Sequence, residues 1–313
     1  METIKWDANA ALAKASKGSF AEKAVRIDVY KNNNEIFKCG SYETARGTVV
    51  NIREMNEKCL AGTKVYSRPI ELGTVETIED GTAFDVRNIG CLEMAKKLVD
   101  AGLNPAVLNL ADAYTACGWY YKGSNAQEES LCRMSTLSQS LYQYYQPKWA
   151  ETVSTEFKGE GYPMDINYGG IYSPEVIVFR EGVDDGYALL DEPWKVGIIS
   201  LAALDFNEKH GKNREYQARG GGFTEEGEEI MRNKIRTILR IALENGHDGI
   251  VLGAFGCGAF RLHPERVAQL FDETFEEEEF KDKFKYIVFA ILEAPNGPQG
   301  RSGKFAPFYR KFA

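Results

Sequence analysis

Apolar residues recur at helical spacing along Leu92-Glu-Met-Ala-Lys-Lys-Leu-Val and stop at Gly102, which predicts an amphipathic helix closed by a glycine. The segment before it, Thr82-Ala-Phe-Asp-Val-Arg, alternates as a strand does, and the Val/Thr-rich stretch 73–77 also reads as extended. The alternation continues downstream. The apolar run Ala106-Val-Leu-Asn-Leu-Ala leads through a glycine-containing loop to a long helix expected from about 126 to 145. Further short β-rich runs lie at 176–179, 196–204, 249–255 and 286–292, separated by helices expected at about 225–245 and 264–271. Short buried strands alternating with amphipathic helices predict an α/β domain with a largely parallel or mixed central sheet covered on both faces.

Residues 1–60 read differently: mainly helical, with an alanine-rich helix near 9–15 and a polar break at Lys31–Glu35. The expected organisation is an N-terminal helical extension, 1–60, followed by one domain over 61–313 with no internal linker. The acidic block Glu276–Glu279 reads as a solvated helix end, and 294–307 as a terminal loop.

Composition narrows the functional classes. With 313 residues, 43% hydrophobic and 27% charged, the chain is long enough to bury a core without disulfides. A formal net charge of -8 repels a long phosphate backbone, so general nucleic-acid binding is not expected, whereas one local pocket can still hold an anion. No apolar leader opens the chain and no run of about 18 apolar residues occurs, so an intracellular protein without membrane association is expected. The cysteines (Cys39, Cys59, Cys91, Cys117, Cys132 and Cys257) are scattered singly, with neither a disulfide framework nor a metal-ligand cluster.

Two segments carry candidate chemistry. The first starts at Asn109, at the carboxyl end of an apolar strand, and passes Asp112, Gly118 and Trp119. It then delivers Gln127, Glu128 and Glu129 into the first turn of a helix. Ligands of α/β sheets bind beyond strand carboxyl ends, and adjacent carboxylates raise each other's proton affinity, as a general acid requires. The bland alternative is a helix start whose acids complement the helix dipole. The second segment, Gly253-Ala-Phe-Gly-Cys-Gly-Ala-Phe-Arg-Leu-His-Pro-Glu, joins an apolar strand to a helix through small residues. Backbone N–H groups there can approach a phosphate, or the segment is only a tight turn. His263 reads as the residue that opens the helix rather than as a base.

Taken in order, Gln127-Glu-Glu-Ser-Leu-Cys-Arg, Ile171-Tyr-Ser-Pro-Glu-Val-Ile-Val-Phe-Arg and Leu252-Gly-Ala-Phe-Gly-Cys-Gly-Ala-Phe resemble the microbial-type poly(ADP-ribose) glycohydrolase family, over roughly Thr63 to Phe312. The resemblance implies a macrodomain-like mixed sheet flanked by helices, with Glu129 as catalytic acid and Glu128 helping to place the ribose. It also implies that the loop of Gly256, Cys257, Gly258, Ala259 and Phe260 holds the diphosphate. Where the family carries Asn-Ala followed by Pro-Gly-Gly-Gly, this chain has Asp112-Ala113 and then Ala116-Cys117-Gly118-Trp119.

The function implied is hydrolysis of an O-glycosidic ADP-ribose bond, on terminal units of a polymer or on single units, with ADP-ribose or an ADP-ribosylated protein as ligand. Protonating the leaving oxygen and activating water need a carboxyl group and a fixed ligand pose, and neither a metal nor a cofactor. A macrodomain that only reads ADP-ribose, and a nucleotide-sugar or NAD-metabolite hydrolase, stand as alternatives. The sequence leaves the oligomeric state unspecified.

Overall fold

The computed structural model describes residues 3–148, 155–293 and 303–313. In chain order the elements are α1 (Ala8–Ala15), α2 (Ser19–Cys39), β1 (Ser41–Glu43), β2 (Val49–Asn51), α3 (Arg53–Gly62), β3 (Lys64–Tyr66), β4 (Ala83–Arg87), α4 (Cys91–Asp100) and β5 (Pro105–Leu110). There follow α5 (Gln127–Met134), α6 (Leu137–Tyr142), β6 (Gly170–Arg180), β7 (Leu189–Leu201), α7 (Glu225–Glu244), β8 (Gly249–Leu252), α8 (Pro264–Phe275), β9 (Tyr286–Ala290) and α9 (Phe305–Phe312).

These elements form two compact units. The first comprises Met1–Lys64, Ala111–Pro163 and Ser173–Ile198; the second comprises Val65–Leu110, Met164–Tyr172 and Ile199–Ala313. A seven-stranded sheet has the order β3-β6-β7-β5-β8-β9-β4. Strands β5, β8, β9 and β4 run parallel, with Pro105 opposite Gly249 and Ile250 opposite Ile287. The mixed α/β architecture is the one expected. In the second unit the core lies around Leu108, Ile199, Ile235, Leu239, Ile250, Phe271 and Phe289. Helix α7 shows how sequence produces this packing: Thr224 caps it by accepting from the Gly227 N–H at 3.1 Å, and its apolar stripe from Ile230 to Ala242 is buried.

Several expected elements differ. The polar stretch Lys31–Glu35 does not break a helix but lies within α2, where Asn33 is fully buried and hydrogen-bonded on both sides of its amide. The long helix expected over 126–145 is two helices, because β6 competes for the chain at Ser135–Thr136. The Thr136 N–H donates to the Ile177 carbonyl at 3.0 Å, and the Ile177 N–H donates to Thr136 Oγ1 at 3.1 Å. The stretch 73–77 is not a strand. The acidic block is more than a solvated helix end: Glu277 takes a bidentate pair from Arg236, and Glu279 from Arg240, both on α7. Of the expected terminal loop, 294–302 lies outside the described residues, while 305–312 forms α9. Phe308 and Phe312 of that helix pack on Phe289 at ring-centroid distances of 4.9 and 4.8 Å. Among the described residues no helix is long and apolar enough to cross a membrane.

Candidate active site

In the first unit, residues 111–126 fold back over the start of α5 and use their backbone amides to hold its two carboxylates. Glu128 accepts from the N–H of Asp112 through Oε2 at 2.9 Å and from that of Cys117 through Oε1 at 3.2 Å. Glu129 accepts from the N–H of Trp119 through Oε1 at 3.0 Å and from that of Ala126 through Oε2 at 3.1 Å. Both glutamates are buried, at 3% and 5% exposure, so each carboxylate has exchanged water for fixed dipoles.

The glycine kept in this loop has a steric role. A Cβ on Gly118 would lie 2.6 Å from Glu129 Oε1 and 3.4 Å from Glu128 Oε2, and its φ is +51°. Cys117, which stands where the family has glycine, adopts φ +63° all the same and is fully buried; burial raises its thiol pKa, with Cys132 beside it. Trp119 is 48% exposed, with the Lys122 ammonium 4.1 Å from the centre of its indole. Asp112 forms a turn, its Oδ1 accepting from the N–H groups of Tyr114 and Thr115 at 2.7 and 2.9 Å. Gln127 is the half-buried first residue of α5.

Residues that sequence reasoning missed support this helix start. Arg133, fully buried at the far end of α5, donates from Nη1 to the Ser124 carbonyl at 2.6 Å and from Nη2 to Asn125 Oδ1 at 2.9 Å. Asn33 of α2 donates to the Arg133 carbonyl at 2.9 Å and to the Tyr120 hydroxyl at 2.8 Å, and accepts from Arg180 Nε at 2.7 Å. Burial pushes the Arg180 guanidinium down to about 9. The one sequence signal was the asparagine run in α2, polar residues on what proves to be an inner face.

The second unit holds the other candidates. Asn109, on β5, is fully buried and its Nδ2 donates to Ser200 Oγ at 3.0 Å. Beyond β8, the N–H groups of Cys257, Arg261 and Leu262 donate to the carbonyls of Ala254, Gly258 and Gly256 and set the loop's shape. Among the described residues the N–H groups of Gly256, Gly258, Ala259 and Phe260 donate to no oxygen of the chain. The two glycines differ. At Gly256 (φ +72°) a Cβ would meet Leu262 at 2.4 Å and Ala203 at 2.7 Å, so glycine is a packing requirement. At Gly258, among the described residues beyond its chain neighbours, it would meet only the Lys304 ammonium, at 3.9 Å. The carbonyls of Ala259 and Phe260 tie back to Asn207 Nδ2 and the Phe206 N–H, each at 2.9 Å. His263 is exposed at the N-cap of α8, as expected for the residue that opens the helix.

Residues 31–181 match the family model described as microbial-type PARG, catalytic domain. Among solved structures, a poly(ADP-ribose) glycohydrolase from Thermomonospora curvata is 27% identical with a TM-score of 0.71, covering 94% of this chain and 100% of its own. The same enzyme bound to the inhibitor ADP-HPD is 28% identical with a TM-score of 0.68, at the same coverage. The glycohydrolase from Deinococcus radiodurans in complex with ADP-ribose is 26% identical with a TM-score of 0.60, covering 84% of this chain and 98% of its own. Among curated protein sequences no significant match is found. The fold is macrodomain-like, a mixed sheet flanked by helices. The chain is similar to microbial-type poly(ADP-ribose) glycohydrolases, through a family model that spans residues 31–181 and through solved structures that cover most of its length.

Proposed function

We propose that this enzyme hydrolyses the O-glycosidic bond of ADP-ribose, with Glu129 as its acid and base. The observation that carries this reading is the backbone clamp on the carboxylate: N–H groups of Trp119 and Ala126 fix its orientation in a buried setting. As the bond between the anomeric carbon and the acceptor oxygen breaks, the Glu129 carboxyl gives its proton to the departing oxygen. Glu129 then takes a proton from the water that adds to the oxocarbenium-like ribose and returns to its starting state. Glu128, clamped by the Asp112 and Cys117 amides, helps place the ribose, and the loop from Gly256 to Phe260 holds the diphosphate. Residues 61–313 form the macrodomain-like domain in this reading, with 1–60 as its helical extension. We further propose action on terminal or single ADP-ribose units, because the half-exposed Trp119 adds a rigid indole where the family carries glycine.

The test is release of free ADP-ribose from an ADP-ribosylated protein. Glu129→Gln keeps the carboxylate's shape and its acceptor oxygen but removes the transferable proton, so release should fall by about 10² or more while ADP-ribose affinity stays within about threefold. Release by Glu129→Gln at the wild-type rate overturns the assignment.

A further inference from the structure

The glycine-rich loop of the second unit presents an open face, and a cation from the end of the chain stands at its edge. Gly258 shows the openness: among the described residues, its own chain neighbours aside, the space its side chain would fill has no atom within 4 Å except Lys304 Nζ at 3.9 Å. The loop also carries donors that the protein leaves unused: among the described residues the amides of Gly256, Gly258, Ala259 and Phe260 find no acceptor. Backbone N–H groups in close succession on a small-residue loop are an anion-binding arrangement. Among the described residues the Lys304 ammonium makes no ion pair and no hydrogen bond, so its charge is unspent. The other basic residues of its helix are committed: Arg310 pairs with Glu265 at 3.9 Å, and Lys311 with Asp272 at 2.7 Å.

The position of Lys304 is built rather than incidental. Its own N–H and that of Phe305 donate to Glu293 Oε1, which caps the start of α9. Glu293 is tied in turn to Asn88, whose Oδ1 accepts from the Glu293 N–H at 3.0 Å and whose Nδ2 donates to the Glu293 carbonyl at 3.1 Å. Gly303 permits this approach, because a Cβ there would lie 2.6 Å from both Glu293 oxygens. Farther along the helix, Phe308 and Phe312 are anchored in the core of the same unit. The Lys304 charge also reaches the loop itself: it opposes, without overcoming, the rise that burial imposes on the Cys257 thiol.

We propose that Lys304 is an anion-binding residue of this loop, its ammonium neutralising a phosphate of a nucleoside diphosphate seated on the amides of Gly258, Ala259 and Phe260. The inference rests on the reading of the loop as the diphosphate site and adds to it a cation supplied from outside the loop, by the segment that opens α9. It is tested by isothermal titration of ADP-ribose, ADP and adenosine into the wild type, Lys304→Met, Lys304→Arg and Gly258→Val, with melting temperatures confirming that each variant is folded. Lys304→Met keeps the aliphatic stem and removes the charge. It should weaken ADP-ribose and ADP by about tenfold or more, leave adenosine within about twofold, and flatten the salt dependence of ADP binding. Lys304→Arg should recover most of the loss.

If Lys304→Met binds ADP-ribose as the wild type does while Gly258→Val does not, the loop holds the diphosphate and Lys304 is no part of it. If a folded Gly258→Val and Lys304→Met both bind as the wild type does, the reading of the loop falls, and this proposal with it. Equal weakening of adenosine and ADP by Lys304→Met would show a general disturbance of the loop, and would also overturn the proposal.

Discussion

Gly118 and Lys234 show how a single side chain, absent or present, sets the local energetics. At Gly118 even a methyl group would press on the Glu129 carboxylate, a side-chain end rather than backbone, so the strain falls first on the acid and its two backbone hydrogen bonds. Gly118→Ala is therefore expected to melt within a few degrees of the wild type and to lose about tenfold or more in ADP-ribose release, because small misplacements of a reacting group are costly. Steady-state rates beside a melting curve check this, and an unimpaired rate removes the steric role. Lys234 is the opposite case: a buried amine on the inner face of α7, pushed by burial down to about 7 despite the nearby Asp165. Below about pH 7 the amine is charged in both folded and unfolded chains, so the cost of burying it is present in full. The cost shrinks as pH rises toward the ordinary lysine value of 10.5. Lys234→Met should consequently stabilise the protein, and by more at pH 6 than at pH 9, in urea unfolding at the two pH values.

At the scale of elements, α7 and α8 are joined by charge as well as by apolar packing. Arg266 of α8 forks onto Glu228 of α7, at 2.6 Å from Nε, and donates from Nη1 to Glu273 at 2.9 Å; Arg232 of α7 completes the group through Glu273. The Arg266 hydrogen bond holds the Glu228 carboxyl below its ordinary value of 4.5. For Glu273, burial pushes upward but the two arginines outweigh it. Carboxyls depressed in the folded state contribute stability above their ordinary value, and that contribution is lost as pH falls through the folded value. Arg266→Met should cost about 1 kcal/mol at pH 7, with a difference from the wild type that narrows as pH drops below about 4. Melting temperatures across that range decide it, and a pH-independent difference would assign the effect to the lost arginine stem instead.

For the whole molecule, the proposed function makes the substrate the relevant partner, and a polymer of ADP-ribose would be a polyanion facing a protein of net charge -8. Under the proposed terminal action, repulsion of distant units, together with the indole at Trp119, would favour engagement of one end over capture of an internal stretch. Digestion of long, end-labelled poly(ADP-ribose) should release single ADP-ribose units from the start. Early multi-unit fragments from internal cuts would refute terminal action, and Trp119→Gly should bring such fragments out if the indole is the barrier.

Much of this protein was legible along the chain because local rules suffice where an element's pattern and its surroundings agree. The parallel strands β5, β8 and β9 announce themselves as short apolar runs because both of their faces are covered, and α4 and α7 as single apolar stripes closed by glycine or capped by threonine. The acid pair and the glycine-rich loop were visible for the same reason: each is written in consecutive residues, the first at the start of α5 and the second just past β8. What tertiary structure decided lies in contacts between residues far apart in sequence. Asn33 turns inward because Arg133 and Arg180 need its amide, so a polar run that should break a helix stays within one. The helix after Glu129 stops at Met134 because β6 supplies Ser135 and Thr136 with partners that a helix cannot. Residues 305–312 leave solvent because Phe289 offers their phenylalanines an apolar surface, and that docking carries Lys304 to Gly258. A pattern of neighbours specifies which face an element hides; which distant partner waits there is fixed only when the chain has folded.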